Sequence, residues 1–164
     1  MYRRVLIGLG SATIAGFLIA QLIPYRVSNP PVIEEPAWDS AQTEALARRA
    51  CYDCHSNETE VPWYAQIAPI SWVIRDHVDE GRQVLNFSEM NRSFEEAHEA
   101  GEEVMEAEMP PPYYALLHPE AQLSDTERLA LARGLDATLG GEGEHELATL
   151  GHRHEEEEGE EDDD

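Results

Sequence analysis

Both cysteines of this 164-residue chain fall within five positions, Cys51-Tyr52-Asp53-Cys54-His55. A C-x-x-C-H run is the attachment pattern of a covalently held haem. Two thiols three residues apart lie on one side of a helical turn, where each can bond a vinyl group of the ring. The next residue then brings an imidazole nitrogen to the iron. A small chain carrying this pattern is expected to build its core around the ring, so the motif constrains fold and chemistry together.

Other uses of the same residues fit less well. A structural zinc site normally takes four ligands, and the chain has no second cysteine pair; its later histidines lack ligand spacing. A thioredoxin-like pair expects a βαβ setting, and no strand-rich pattern surrounds the motif. A disulfide between Cys51 and Cys54 would close a very small loop and leave His55 without a role.

The N-terminus carries the second constraint. Val5 to Ile23 is an apolar run of nineteen residues without a charge. As a helix it spans roughly 28 Å, close to the hydrocarbon thickness of a bilayer. Arg3 and Arg4 precede it, which also suits the n-region of a signal peptide, but the run exceeds the usual apolar length of about 7–15 residues and no small-x-small site precedes Pro24. An uncleaved membrane anchor is the favoured reading. With Arg3 and Arg4 before the span and only Arg26 between it and Glu34-Glu35, the positive-inside rule puts residues 1–4 in the cytoplasm and the rest outside. Residues 24–38, with four prolines, read as an extended linker lifting a domain off the membrane.

The formal charge is −23, of which twelve acidic residues and one arginine in 142–164 contribute −11. Residues 141–164 read as a disordered acidic tail whose His145, His152 and His154 bind divalent metal at most loosely. Such acidity excludes nucleic acid as a natural ligand and opposes adsorption on anionic lipid.

Between linker and tail, residues 39–140 read as one all-α domain. Asp39 and Ser40 are N-cap candidates for an alanine-rich helix over 41–50 that leads into the motif. Ser71 caps a helix striped by Ile74, Val78, Gly81 and Leu85. Ser93 and Glu96 suggest a capping box opening a helix to about Ala107. A second box at Ser124 and Glu127 opens a helix lined by Leu129, Ala132, Leu135 and Leu139 and ended by Gly140. Proline-rich loops are expected at Val61–Pro69 and Met109–Pro119.

The second axial position of the iron decides the chemistry, because a methionine sulfur closes it and raises the potential while a vacancy admits ligands. Met90, Met105, Met109, His77, His98 and His118 are the candidates. Met109 stands out, since Pro110, Pro111 and Pro112 stiffen the chain directly after it. Met105 reads as core packing. A bis-histidine site through His77 or His118 stays open.

The stretch Ala50–Glu60, the run Val61-Pro-Trp-Tyr-Ala-Gln-Ile-Ala-Pro-Ile-Ser-Trp72, then Val78-Asp-Glu-Gly-Arg82, Leu85-Asn-Phe-Ser88, Glu108-Met-Pro-Pro111 and Tyr114–Ser124 resemble the bacterial haem-binding domain family, small proteins akin to cytochromes c. The resemblance covers Pro31 to near Leu139 and implies a small cytochrome c-like helical domain around one covalent haem c, often membrane-anchored, with Cys51 and Cys54 holding the ring. Attachment of c-type haem then implies the periplasmic side of a bacterial inner membrane, the side that the charge pattern also assigns. By analogy with cytochromes c, the Pro69 carbonyl is expected to accept the proton of the other His55 ring nitrogen. Trp63, Tyr64, Trp72 and Arg75 are candidates to pack on the ring or bond its propionates.

The functional expectation is one-electron transfer in the periplasm, not catalysis, with His55 and Met109 on the iron. Its partners would be redox proteins with a basic docking face, steered by the chain's acidity. The alternatives are a small haem peroxidase with an open distal site and a haem-based sensor or binding module.

Overall fold

The apolar N-terminal run is helical because nothing in it opposes a helix before Pro24. In the computed structural model, which describes residues 2–140, it forms α1 (Tyr2–Ala20) with no buried residue. Its mean hydropathy reaches 1.4 over 18 residues, and it is long and apolar enough to cross a membrane. The helix begins before Val5 and ends before Ile23: Leu22 and Ile23 leave it through turns onto the Ile19 and Ala20 carbonyls.

Residues 24–38 depart from the expected free linker. Their prolines keep the chain extended, but the backbone is fastened along the domain as a strap. The Ile33 N–H donates to the Ser88 carbonyl at 2.8 Å, the Met90 N–H donates to the Glu34 carbonyl at 3.0 Å, and Glu34 pairs with Glu89 in a parallel bridge. Arg82 donates to the Ser28 carbonyl and to Asn29 Oδ1 at 2.8 and 2.9 Å. The ring of Trp38 lies 5.2 Å from that of Phe87 in the core. Proline removes donors but leaves every carbonyl free to accept, so a Pro-rich segment can be bound by a guanidinium as firmly as by a strand. Ordered structure therefore starts well before Asp39.

The domain itself is helical, with no strand among the described residues. Ser40 caps α2 (Ala41–Ala50), its hydroxyl accepting from the Thr43 N–H, and α3 (Tyr52–His55) follows at once with the motif. The next long helix, α4 (Ile70–Val84), has Pro69 rather than Ser71 at its N-cap, and Ser71 is buried within its first turn. Both halves of the capping box at Ser124 and Glu127 close on the last helix, which ends at Gly140 with φ 78°, a left-handed turn that glycine adopts without strain.

Two expectations fail between these helices. No long helix opens at Ser93: a 3-10 turn at Ala97–Glu99 precedes the six-residue α5 (Ala100–Met105). Glu95, Glu99 and Glu103 would stand four apart on such a helix, and like charges at that spacing oppose it. Phe94 packs on the core instead, beneath the Arg92 guanidinium. Met105, expected in the core, is 48% exposed. Conversely, the loops expected at the prolines contain short helices: 3-10 turns at Trp63–Gln66 and Pro119–Ala121, and α6 (Pro112–Leu117). Proline suits the first helical position, where its missing N–H would have no partner anyway.

The last helix, α7 (Asp125–Leu139), buries Leu131, Ala132, Gly134 and Leu135, so its inner face is set by Leu131 and not by the exposed Leu129. Leu131, Ala132 and Leu135 join Leu46, Ala47, Tyr52, Leu85, Phe87 and Val104 in one core behind the motif. The acidic tail lies outside the described residues.

Candidate functional site

A cavity of about 390 Å³ opens beside this core, within the usual range for a small-molecule pocket. Its walls carry Cys51, Cys54 and His55 from the motif, Gly81 and Leu85 from the end of α4, Phe87 beyond it, and Val104, Met109 and Tyr114 from the other side. The site is thus mostly apolar, with two thiols, the imidazoles of His55 and His77 and a thioether as its possible metal donors.

The motif can sit here because α4 comes unusually close. A Cβ on Gly81 would stand 2.7 Å from the Cys54 carbonyl oxygen, so any side chain would force the two helices apart. Leu85-Asn86-Phe87-Ser88 then crosses behind the motif and stitches it in place. The Phe87 N–H donates to the His55 carbonyl at 2.8 Å. Asn57 N–H donates to Ser88 Oγ at 2.9 Å, and Asn86 Nδ2 donates to Asn57 Oδ1 at 3.0 Å, both buried. The Phe87 ring stacks on Tyr52 and meets the edge of His55.

His55 Nδ1 lies 3.0 Å from the Leu85 carbonyl oxygen. A carbonyl can only accept, so Nδ1 carries the proton and the Nε2 lone pair is left for a metal. Burial also lowers the His55 pKa, against the Leu85 and Gly81 carbonyls, and so favours the neutral ligating form. The expected partner, Pro69, is not this acceptor: its carbonyl takes the N–H groups of Trp72 and Val73 at the start of α4.

Cys51 and Cys54 form no disulfide with each other. Burial pushes them up to about 12 and about 11, with the charge of the neighbouring cysteine adding to the first and Asp53 to the second. Redox-active C-x-x-C pairs work through a lowered pKa, so these thiols have the opposite environment. Among the described residues no three His, Cys, Asp or Glu side chains converge where a metal ion could be held, which leaves the zinc alternative without a ligand set there.

Of the candidates for the second axial position, Met109 and His77 line the cavity, while Met90, Met105, His98 and His118 do not. Met109 is half-buried and packs on the core; His77 is exposed on α4 beside Tyr113. The residues expected to touch the ring or its propionates are elsewhere. Trp63 is exposed, Tyr64 reaches toward His118, and the buried Trp72 Nε1 has no partner among the described residues. Arg75 serves the strap, donating to the Arg26 carbonyl, pairing with Asp79 and stacking over Tyr25.

Two groups at the site carry no motif that sequence reading can detect. Tyr114 donates to Asp53 Oδ2 at 2.6 Å and so clasps the middle of the motif to α6, while Asp53 Oδ1 accepts from the Glu60 N–H. Burial first, and Asp53 second, hold the Tyr114 phenol well above its ordinary pKa. The cavity also has an acidic margin of Glu80, Glu96, Glu99 and Glu103, with no lysine or arginine among its lining residues. Burial and the nearby carboxylates, Glu108 first among them, raise the pKa of Glu103.

The family model described as a haem-binding domain matches residues 15–137 of the chain. No curated protein and no solved structure matches it.

Proposed function

The chain belongs to the haem-binding domain family, and from this premise we propose that it is a membrane-anchored, single-haem c-type cytochrome that transfers one electron at a time in the bacterial periplasm. The observation that carries the reading is that both motif thiols and His55 line one cavity, with His55 already held in its ligating tautomer by the Leu85 carbonyl. Cys51 and Cys54 would hold the ring through thioethers, and His55 and Met109 would supply a nitrogen and a sulfur ligand to its iron. Haem bound in this way supplies an iron that cycles between ferrous and ferric states.

The chain's own residues favour transfer over catalysis. Leu85 fixes the imidazole, Phe87 braces its edge, and the Tyr114–Asp53 clasp ties the motif to the facing helix. A ligand set held in place by such supports changes little between oxidation states. Met109 is favoured over His77 because it is half-buried against the core in a chain stiffened by three prolines. The carboxylates at the cavity margin would steer a redox partner with a basic face, an attraction that salt weakens.

Denaturation followed by acid–acetone extraction tests attachment. The haem is expected to stay with the polypeptide, to be partly lost on Cys51→Ala or Cys54→Ala, and to be wholly extractable when both are changed. Full extraction from the wild-type chain would refute covalent attachment. Carbon monoxide binding by the untreated ferrous protein would refute a closed sixth position and favour the sensor or peroxidase alternative.

A further inference from the structure

Past α1, the longest stretch without a charge runs from beyond the motif into the first turns of α4. Val61 to Ile74 is fourteen residues without a charge, in a protein of 34 acidic side chains. It is also the place where the apolar N-terminal helix meets the domain. Gln21, one residue beyond α1, grips the backbone of Ala68 with both ends of its amide: Nε2 donates to the Ala68 carbonyl and Oε1 accepts from the Ala68 N–H, each at 3.0 Å. Nearby, Tyr25 bonds Asp76 and Arg75 bonds the Arg26 carbonyl. The exit of the helix and the start of α4 are therefore held together.

This juncture leaves large apolar side chains uncovered. Trp63 is 77% exposed, and Ile70 and Val73, three apart on one face of α4, are about half exposed at 49% and 54%. Leu22 and Ile23 are exposed on the chain beside them. A 19-residue helix is roughly 28 Å long, so if α1 spans the hydrocarbon core, Gln21 emerges at the interface and brings Ala68 to the same level. Tryptophan is enriched at that depth, where its amphipathic ring is favoured.

We propose that Trp63, Ile70 and Val73 insert into the outer interfacial layer of the bilayer, so that the haem domain lies against the membrane instead of standing off it. The occupant is lipid because the surface is continuous with the membrane-facing helix, and because the uncharged segment is where an acidic chain can approach anionic headgroups without repulsion. The inference rests on the anchored reading of α1. It replaces a mobile tether with two points of attachment, and it fixes which side of the domain remains open to partners.

Photolabelling of the full-length protein in nanodiscs tests this, using phosphatidylcholine and phosphatidylglycerol doped with a lipid that bears a diazirine near the headgroup. Mass spectrometry is expected to find adducts in the segment 61–74 as well as at the ends of α1, with none in the acidic segment 95–103. Glu substitution at Trp63, Ile70 and Val73 together is expected to lower labelling of 61–74 several-fold while leaving the haem absorbance unchanged. Adducts on α1 alone, or labelling that survives the triple substitution, would overturn the proposal while leaving the anchor intact. Absence of adducts on α1 would overturn the anchor itself, and the second attachment with it.

Discussion

The two walls of the cavity are built in opposite ways. Behind the motif, His55, Asn57, Asn86, Phe87 and Ser88 are joined by short hydrogen bonds across about thirty residues of sequence, most of them buried. The facing wall, from Glu96 to Tyr114, is made of a 3-10 turn, two six-residue helices and a proline run. Its backbone bonds are mostly local, such as the Met109 N–H to the Glu103 carbonyl, and its long-range ties include Arg128 to the Val104 carbonyl and Tyr114 to Asp53. The first wall holds a ligand rigidly whether or not anything is bound. The second presents the Met109 sulfur on a segment held mainly by local backbone bonds. A haem protein that is preorganised on one side and adjustable on the other can keep its iron in place while its potential is tuned by the second ligand.

The largest effect is expected on the rigid wall. Phe87 is fully buried and contacts Trp38, Tyr52 and His55 at once. Phe87→Ala is expected to cost about 3–5 kcal/mol, a typical value for such a deletion, and to reduce the yield of haem-loaded protein. Denaturant unfolding followed by circular dichroism measures the first, and the ratio of haem to protein absorbance the second. A loss under about 1 kcal/mol would mean that the wall is not rigid at Phe87 and that the contrast between the walls is overstated.

How much of this was legible depends on where each role resides. The motif, the Ser40 cap, the Ser124–Glu127 box and the Gly140 terminator are written in side-chain identity, and the structure has each of them in place. The His55 acceptor is a backbone carbonyl, which every residue has, so no signal distinguished Leu85 from Pro69. Phe87 looked like any apolar residue because its importance comes from three partners distant in sequence. Proline content reports the absence of helix and says nothing of side chains that grip carbonyls, so in the sequence the strap is indistinguishable from a free tether. Residue type makes Trp63, Tyr64, Trp72 and Arg75 candidates for the ring, and type does not specify direction.

On the adjustable wall the main effect is expected in ligation, with a smaller one in stability. Met109 is half-buried, so Met109→Ala should cost less than the about 2–5 kcal/mol of a fully buried methionine. The ferric spectrum should move toward high spin, and carbon monoxide should bind the ferrous form. Met105→Ala is the matched control, since Met105 is exposed and does not line the cavity. Retention of the wild-type spectrum by Met109→Ala, with collapse on His77→Ala, would transfer the ligand to α4 and place both axial donors on the rigid side.

The smallest effect is expected at Glu127, which fastens α7 to the helix that enters the motif. Its Oε2 accepts from the Ser124 N–H at 2.9 Å and from the Ser124 hydroxyl at 2.8 Å, while Oε1 accepts from Arg49 at 2.7 Å, two residues before Cys51. The Ser124 N–H, the Ser124 hydroxyl and then Arg49 hold its pKa down to about 2, from an ordinary value of 4.5. A carboxylate whose folded pKa is depressed stabilises the fold above its unfolded pKa, and that stability is lost as pH falls through the interval between the two. The window is therefore about pH 4.5 down to about 2. Glu127→Gln keeps an acceptor for the cap but removes the charge, so it should be slightly less stable than the wild type at neutral pH. The difference should shrink through the window and vanish near its lower end. Because the carboxylate is partly open to solvent, salt should reduce the gap as well. Thermal midpoints of both proteins over that pH range, at low and high ionic strength, measure it. A gap that stays constant down to the lowest pH would assign the role of Glu127 to hydrogen-bond geometry alone, and would show that the approach to the motif is held rigid without help from charge.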